Sequence, residues 1–540
     1  MHPDSHRLPA RQRQKRQQRR NKPVNTTDFL SIATAICPDR DCVVFEGKRY
    51  TYAQINDRTN QLAHVLNGFH VEKGDLIGML SVNCNQYVEV YFATAKLGAI
   101  FVPLNYRVRS DELQYMVNQA GITVLFVGSR YLDLVNAARS QMPKLKQVIP
   151  LDGTEKGTYE ELIATQSTDE IMAEIADDDT TILLFTSGTT GRPKAVPLRH
   201  DAFVVYALDN VEPANPDIEE RNILTVPLYH VAGIQSMFPA IYGGRTLVMM
   251  RQFELKEWME TVERERATRA MLVPTMLKWI VDSPEFAKHD LSSLQVVTYG
   301  AAPMPFEVIK KAIELMPQVQ FINSYGQTES ASTLTMLGPE DHRIVGTEEE
   351  KQTKWKRLQS SIGKPLPDVK IRIVDDDGKS VPPFAVGEIH ASGPRIMKGY
   401  WGDEQKTAQT MTTDGWLRTG DLGYLDDDGY VYLTGRADDL IIRGGENIAP
   451  EEVEDALCGY PKIAEACVIA VPDPEFGQQP FACCVLKAGE TCTPEEVMEF
   501  CRERIASFKR PRGVLFVDEL PRNAMGKILR KKLREEYGHA

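Results

Sequence analysis

Between residues 50 and 130 the chain alternates between two hydrophobic periods, and that alternation restricts the fold more than any other feature. "YAQINDRTNQLAHVLNGF" carries apolar residues at helical spacing, and "DLIGMLS" is a short buried-strand pattern. The helix-like "NQYVEVYFATAKLG", the strand-like "AIFVPLN", a helical stretch from Ser110 to Ala120 and "TVLFVG" follow. Strands alternating with helices need crossover connections, which predicts an α/β fold with parallel sheets. The rhythm returns in "NILTVPL", "TLVMM", "LKEWMETVERE", "ATRAMLVP", "LQVVTYG" and "FEVIKKAIELM". From about Val369 the texture changes to short strands, with Asp377-Gly378 and Asp428-Gly429 placed for hairpins. The last hundred residues return to helix and strand as a small α+β unit, and Arg436-Ala437-Asp438-Asp439 reads as the joint leading into it.

At 540 residues the chain exceeds one compact core, so two to four domains or subdomains are expected. No apolar run reaches the roughly 18 residues of a membrane helix, and the basic start has no apolar stretch behind it. Residues 1–24 hold eight Lys/Arg against one Asp, a formal +7, so the rest carries −19 within the chain's −12. That segment reads as a disordered extension, or else as an arm for nucleic acid or acidic lipid, or an organelle presequence. The acidic body argues against a nucleic-acid role. Nine cysteines form no C-x-x-C pair and no cysteine–histidine cluster with metal spacing. Free thiols in a reducing cytoplasm are the simplest account, and adjacent Cys483 and Cys484 would point to opposite faces of a strand.

"LLFTSGTTGRPK" at 183–194 is not a Walker A loop, because its spacing is G-x-x-G-x-x-K and Ala195 follows the lysine. A loop dense in Ser, Thr and Gly lets backbone N–H groups and hydroxyls surround phosphate oxygens. By itself it reads equally as a polar surface turn.

Six stretches in order resolve that choice. The loop is followed by "YGAAPM" at 299–304, "NSYGQTES" at 323–330 and "TGDLGYLDDDGY" at 419–430. "GRADDLIIRGGENIAPEEVE" at 435–454 and "LPRNAMGKILR" at 520–530 complete the set. Over roughly residues 27–535 the chain resembles the AMP-forming, adenylate-forming enzymes: acyl- and aryl-CoA synthetases, adenylation domains and luciferases. The resemblance implies a large N-terminal domain over 25–436, with αβαβα-type layered sheets and a small distorted β-barrel. A mobile small α+β C-terminal domain over 437–540 is implied beside it.

It also implies residue roles. Thr186, Ser187, Gly188, Thr189, Thr190 and Lys194 would hold the β- and γ-phosphates of ATP. Gly300, Ala301, Ala302, Asn323, Ser324, Tyr325, Gly326 and Gln327 would form the adenine side, with Tyr325 stacked on the base. Thr328 would lie beside the phosphates, and Glu329, with Thr186, would ligate Mg2+, a hard dication shared with ATP. Asp421 would accept hydrogen bonds from both ribose hydroxyls, with Arg436 nearby. Lys527 would bridge carboxylate and α-phosphate, two anions whose repulsion is the barrier to overcome. No general base is needed for an acid already ionised near pH 7. Asp438 matches the hinge between two poses, one with Lys527 inward and one with Gly444, Gly445, Glu446 and Asn447 inward. Lys509 joins Gly444, Gly445 and Glu446 as a CoA contact. Tyr229, His230, Ile234, Ala301, Gly326 and Gln327 would line the acyl pocket. His230 reads either as a gate orienting the carboxylate or as a satisfied core histidine.

The expected activity is acid–CoA ligation, in which carboxylate and Mg-ATP give acyl-adenylate and pyrophosphate and CoA then displaces AMP. Delivery of acyl-AMP to a separate carrier protein is the alternative. Small residues at 300–302 and 326 leave room for a medium- or long-chain fatty acid first and a cyclic or aromatic acid second, and argue against acetate. Partners are thus small molecules, with a homodimer compatible and no nucleic acid expected. The tail "EEYGHA" lacks a peroxisomal tripeptide.

Overall fold

Every strand-like run quoted between residues 75 and 130 becomes a buried strand of one sheet. A computed structural model describes residues 24–153, 157–186, 192–436, 439–444, 446–522 and 528–538, with Asn447 described in its backbone alone. Two compact units emerge, one made of the chain to Leu224 with Leu228–Arg251 and Tyr400–Gly402, the other of Thr225–Pro227, Gln252–Gly399 and Asp403 onward.

The first unit holds a six-stranded sheet. Its order is Gln147–Pro150, Val124–Val127, Leu76–Leu80, Ile100–Leu104, Thr180–Thr186 and Lys194–Arg199. Neighbours are parallel except for the final pair, which is antiparallel. Helices Gln86–Lys96 and Ser110–Ala120 make the crossovers, and Leu113, Met116, Val117 and Ala120 pack on Leu80, Val102 and Leu125 in one apolar cluster. Leu76–Leu80 and Ile100–Leu104 are buried at every residue, as parallel strands covered on both faces must be. In the same unit Arg221–Leu224, Thr246–Met249 and Asp41–Phe45 pair in parallel, and Lys48–Thr51 closes that edge antiparallel.

In the second unit Arg269–Leu272, Val296–Gly300 and Gln320–Tyr325 are parallel neighbours. Thr335–Leu337, Ser361–Pro365, Val431–Arg436, Leu417–Leu425, Gly387–Ser392 and Lys370–Val374 continue outward, each antiparallel to the one before. The last four of these in that order, all within residues 370–436, are the short strands expected from Val369 onward. At the Asp428-Gly429 turn Gly429 adopts φ +80° and the Asp426 and Tyr430 backbones bond across, joining two paired strands as a hairpin. Asp377-Gly378 makes a turn of the same kind, although only the single bridge Val374 to Ser380 follows it.

The last hundred residues build a separate sheet in the order Glu446–Ile448, Ile441–Arg443, Gly477–Leu486 and Ile463–Asp473, with Val514–Phe516 parallel to Gly477–Leu486. Its two faces carry two apolar clusters, one with helix Pro450–Cys458 through Val453 and Leu457, the other with helix Arg530–Tyr537 through Leu533. Cys484 lies in the first cluster and Cys483 in the second, so the adjacent pair do point to opposite faces. All nine cysteines are free. Among the described residues no helix is long and apolar enough to cross a membrane.

Candidate active site

Two of the quoted stretches meet at the carboxyl ends of adjacent parallel strands. Tyr299 pairs with Asn323 and Gly300 with Ser324, so "YGAAP" and "NSYGQTE" leave the sheet side by side. Loops at the carboxyl ends of parallel strands are where open α/β sheets bind ligands. A Cβ at Gly300 would overlap the Ser324 carbonyl, and one at Gly326 would overlap the Ser332 carbonyl, so both positions exclude any side chain. Ala301, Ala331 and Ser332 sit at positive φ without being glycine, at 69°, 49° and 91°. Such conformations cost about 1–3 kcal/mol each and gather where a backbone is held for function. Ala302 follows Ala301 and is half-buried. The Ser324 hydroxyl bonds that of Thr333 at 2.8 Å, and Gln327 N–H donates to the Ser330 hydroxyl at 3.2 Å. Thr328 and Glu329 are buried in a short helical turn, and Met397 N–H donates to the Glu329 carbonyl.

Asp421 and Arg436 face each other across paired antiparallel strands. Arg436 Nε donates to Asp421 Oδ1 at 2.6 Å, and the Tyr325 hydroxyl donates to Oδ2 at 2.6 Å. Burial and the facing carboxylate push the Tyr325 phenol well above its ordinary range, so it stays a proton donor. Each Asp421 oxygen keeps a lone pair for a further donor. The Tyr325 side chain therefore reaches Asp421, a contact its motif does not encode.

In the first unit Thr186 and Lys194 are register partners closing an antiparallel pair. The expected phosphate contacts Ser187, Gly188, Thr189 and Thr190 lie outside the described residues. The Lys194 ammonium stands 5.3 Å from the centre of the Tyr400 ring, and Trp401 N–H donates to the Ala195 carbonyl. Sequence reasoning passes over Tyr400, whose only signal is an aromatic after the glycine of "KGYW". Tyr229 sets its ring edge-on to Tyr106 at 5.4 Å. Its hydroxyl is buried and, among the described residues, has no hydrogen-bond partner. His230 caps helix Val231–Tyr242, its Nδ1 facing the Ala232 N–H at a long 3.5 Å. Burial pushes its pKa down to about 4, so the ring is neutral with its proton on Nε2. Ile234 is fully buried on that helix.

Toward the carboxyl end strands Ile441–Arg443 and Glu446–Ile448 pair antiparallel, with Arg443 opposite Glu446. Gly444 has φ +58° and donates its N–H to the Phe476 carbonyl, while Glu446 is exposed. Gly445 lies outside the described residues, as do the expected hinge Asp438 and the expected catalytic Lys527. Lys509 is paired with both oxygens of Glu452, at 2.6 and 2.7 Å.

Residues 32–401 match the AMP-binding enzyme family, and residues 452–527 match the AMP-binding enzyme C-terminal domain. The chain is 32% identical over 521 residues to the fatty acid–[acyl-carrier-protein] ligase ScoC of Streptomyces coeruleorubidus, covering 95% of this chain and 96% of that one. It is 32% identical over 518 residues to the indoleacetate–CoA ligase of Aromatoleum aromaticum, covering 95% and 98%. The anthranilate CoA ligase AuaEII, solved in complex with anthranoyl-AMP, superposes with a TM-score of 0.86 at 27% identity, over 96% of this chain and 98% of that one. Fold, ordered motifs and these likenesses agree, and the chain belongs to the AMP-binding enzymes as an AMP-forming ligase of the adenylate-forming superfamily.

Proposed function

We propose that the chain is an acid–CoA ligase acting through an acyl-adenylate, on a medium- or long-chain fatty acid or on a cyclic or aromatic acid. The observation that carries this reading is the Tyr325–Asp421–Arg436 group, standing beside two glycine positions closed to side chains. A carboxylate held by one phenol and one guanidinium still offers two lone pairs, matching the two hydroxyls of a ribose. The alanine and glycine walls at 300–302 and 326 leave the base and acyl carbonyl close to backbone. The neutral His230 offers an Nε2 proton to an oxygen of the acid. Lys527 supplies a positive charge between carboxylate and α-phosphate, so that catalysis is positioning and charge neutralisation without a base.

The buried carboxylate of Glu329 fits a hard dication, and no cluster of three or more His, Cys, Asp or Glu ligands stands among the described residues. One protein carboxylate suits a Mg2+ held mostly by nucleotide oxygens. Bound there, the ion would neutralise phosphate charge. Residues 437–540, with their own sheet and clusters, are read as the small domain that turns about Asp438 between the two half-reactions. Nine free thiols support a reducing cytoplasm.

The test is AMP and pyrophosphate release over a panel of carboxylic acids graded in chain length and ring content, each with and without CoA. AMP release that needs CoA and one class of acid supports the ligase and names its substrate. The likeness to a carrier-protein ligase gives the second reading its weight. Pyrophosphate release without CoA turnover would put that reading first.

A further inference from the structure

Arg395 has a fully buried side chain, and none of the six ordered stretches contains it. Its guanidinium meets the carboxylate of Asp368, itself only 9% exposed and 27 residues earlier in the chain. Nε donates to Oδ2 at 2.6 Å and Nη2 to Oδ1 at 3.2 Å. Such a fork fixes distance and angle together, which the point charge of a lysine does not. Buried ion pairs seldom repay their desolvation in stability, so fixing an orientation is the better account of this one.

The backbone on either side says what is being oriented. Asp368 sits in a turn that closes with the Val369 N–H on the Leu366 carbonyl at 2.9 Å. That turn hangs from the Leu334 carbonyl through the Leu366 N–H at 3.0 Å, and the Leu334 N–H donates to the Tyr325 carbonyl at 2.7 Å. On the other side the chain runs from Arg395 to Met397, whose N–H donates to the Glu329 carbonyl at 2.9 Å. A Cβ at Gly393 would come within 2.5 Å of the Asp368 carbonyl oxygen, so the two segments also meet along their backbones. The contacts make a closed circuit from Tyr325 through Leu334, Leu366, Asp368, Arg395 and Met397 back to Glu329. Every link is covalent or backbone to backbone except the fork. Enclosed by the circuit is the segment 325–334, with Ala331 and Ser332 at φ 49° and 91°. A backbone held in such conformations persists only where its surroundings brace it.

We propose that Asp368 and Arg395 are positioning residues, whose fork holds the Met397 N–H against the Glu329 carbonyl and so fixes where the Glu329 carboxylate stands. The proposal rests on the reading of Glu329 as the carboxylate for Mg2+ given above. Loosening the fork lets the Glu329 turn drift, so the part of ATP binding that depends on Mg2+ weakens while the rest is kept.

The experiment measures ATP binding to the full chain by titration calorimetry, with Mg2+ and again in EDTA, beside hydrogen exchange at the Met397 amide. Asp368→Leu combined with Arg395→Met removes both charges and strands neither, so the fold is expected to hold. In that double variant Kd for ATP with Mg2+ should rise about tenfold, the worth of one hydrogen bond, while Kd in EDTA stays within about twofold. The Met397 amide should exchange about tenfold faster. Arg395→Lys keeps the charge without the fork, acts in the same direction with a smaller loss, and decides the matter if the double variant folds poorly. Glu329→Gln is measured beside them and is expected to abolish the Mg2+ effect. If Glu329→Gln leaves that effect intact, the reading of Glu329 falls and the positioning role falls with it. If Glu329→Gln abolishes it while the double variant and Arg395→Lys leave it intact, or weaken ATP binding equally with and without Mg2+, the positioning role is overturned by itself.

Discussion

A methyl group at residue 326 would overlap the Ser332 carbonyl, and Gly326 has no positive φ, so the glycine there answers to space rather than to flexibility. Gly326→Ala is expected to cost about 1–3 kcal/mol in urea unfolding and to abolish adenylation, since the backbone must shift to admit the methyl. Gly415→Ala makes the comparison. Its φ is +81° with open space around it, so a loss of only about 1 kcal/mol and unchanged turnover are expected. Tyr325→Phe removes one of the two protein donors to Asp421. A hydrogen bond to a charged group is worth about 1.5–3 kcal/mol, so kcat/KM for ATP should fall about 10- to 100-fold. An unchanged kcat/KM would separate Asp421 from the nucleotide. These residues show how far sequence reaches. The place of Tyr325 beside Gly326 is local and legible, but its hydroxyl finds a carboxylate 96 residues away. No pattern along the chain encodes that direction.

At the scale of elements, periodic runs were readable and irregular ones were not. The helix Ser110–Ala120 matches its expected span because its buried residues recur at helical spacing. Strand Lys194–Arg199 escapes such a reading because it contains Pro197 and charged ends. It is a terminal strand of its sheet, where proline removes no needed ladder bond. Helix Val231–Tyr242 is buried all round and contains Pro239, leaving no stripe to detect, while Glu348–Ser360 buries only Leu358. The Thr186 to Lys194 closure predicts a separation of stability from activity. Two glycines inserted after Arg192 should cost well under about 1 kcal/mol in loop closure. The same insertion should cut adenylation at least about 100-fold, because phosphate contacts tolerate little displacement. Equal thermal midpoints with unequal pyrophosphate exchange is the expected result. Unimpaired exchange would remove the loop from phosphate binding.

Across the whole molecule, three buried histidines each weaken the fold in acid. Burial pushes His200, His230 and His342 down to about 4 from an ordinary 6.5. His342 shows how: it donates Nδ1–H to the Gly338 carbonyl and accepts from the Tyr299 hydroxyl, so a second proton has no place. Between about pH 6.5 and 4 the unfolded chain binds protons that these folded sites refuse. Their stabilisation is complete above 6.5 and is lost as pH falls toward 4. Urea midpoints should therefore be level from pH 7.5 to 6.5 and drop below, and His342→Gln should make that drop shallower. A profile that His342→Gln leaves unaltered would rule this histidine out as a source. The pairing of Asp41–Phe45 with Thr246–Met249 has a consequence of another kind, for birth on the ribosome. The Thr246 hydroxyl bonds the Asp41 carbonyl across 205 residues of sequence. At translation speeds of about 5–20 residues per second, the first strand waits about 10–40 s for its neighbour. For that interval the nascent amino-terminal segment is an unpaired apolar edge, and its yield in the cell will depend on what shields it until then.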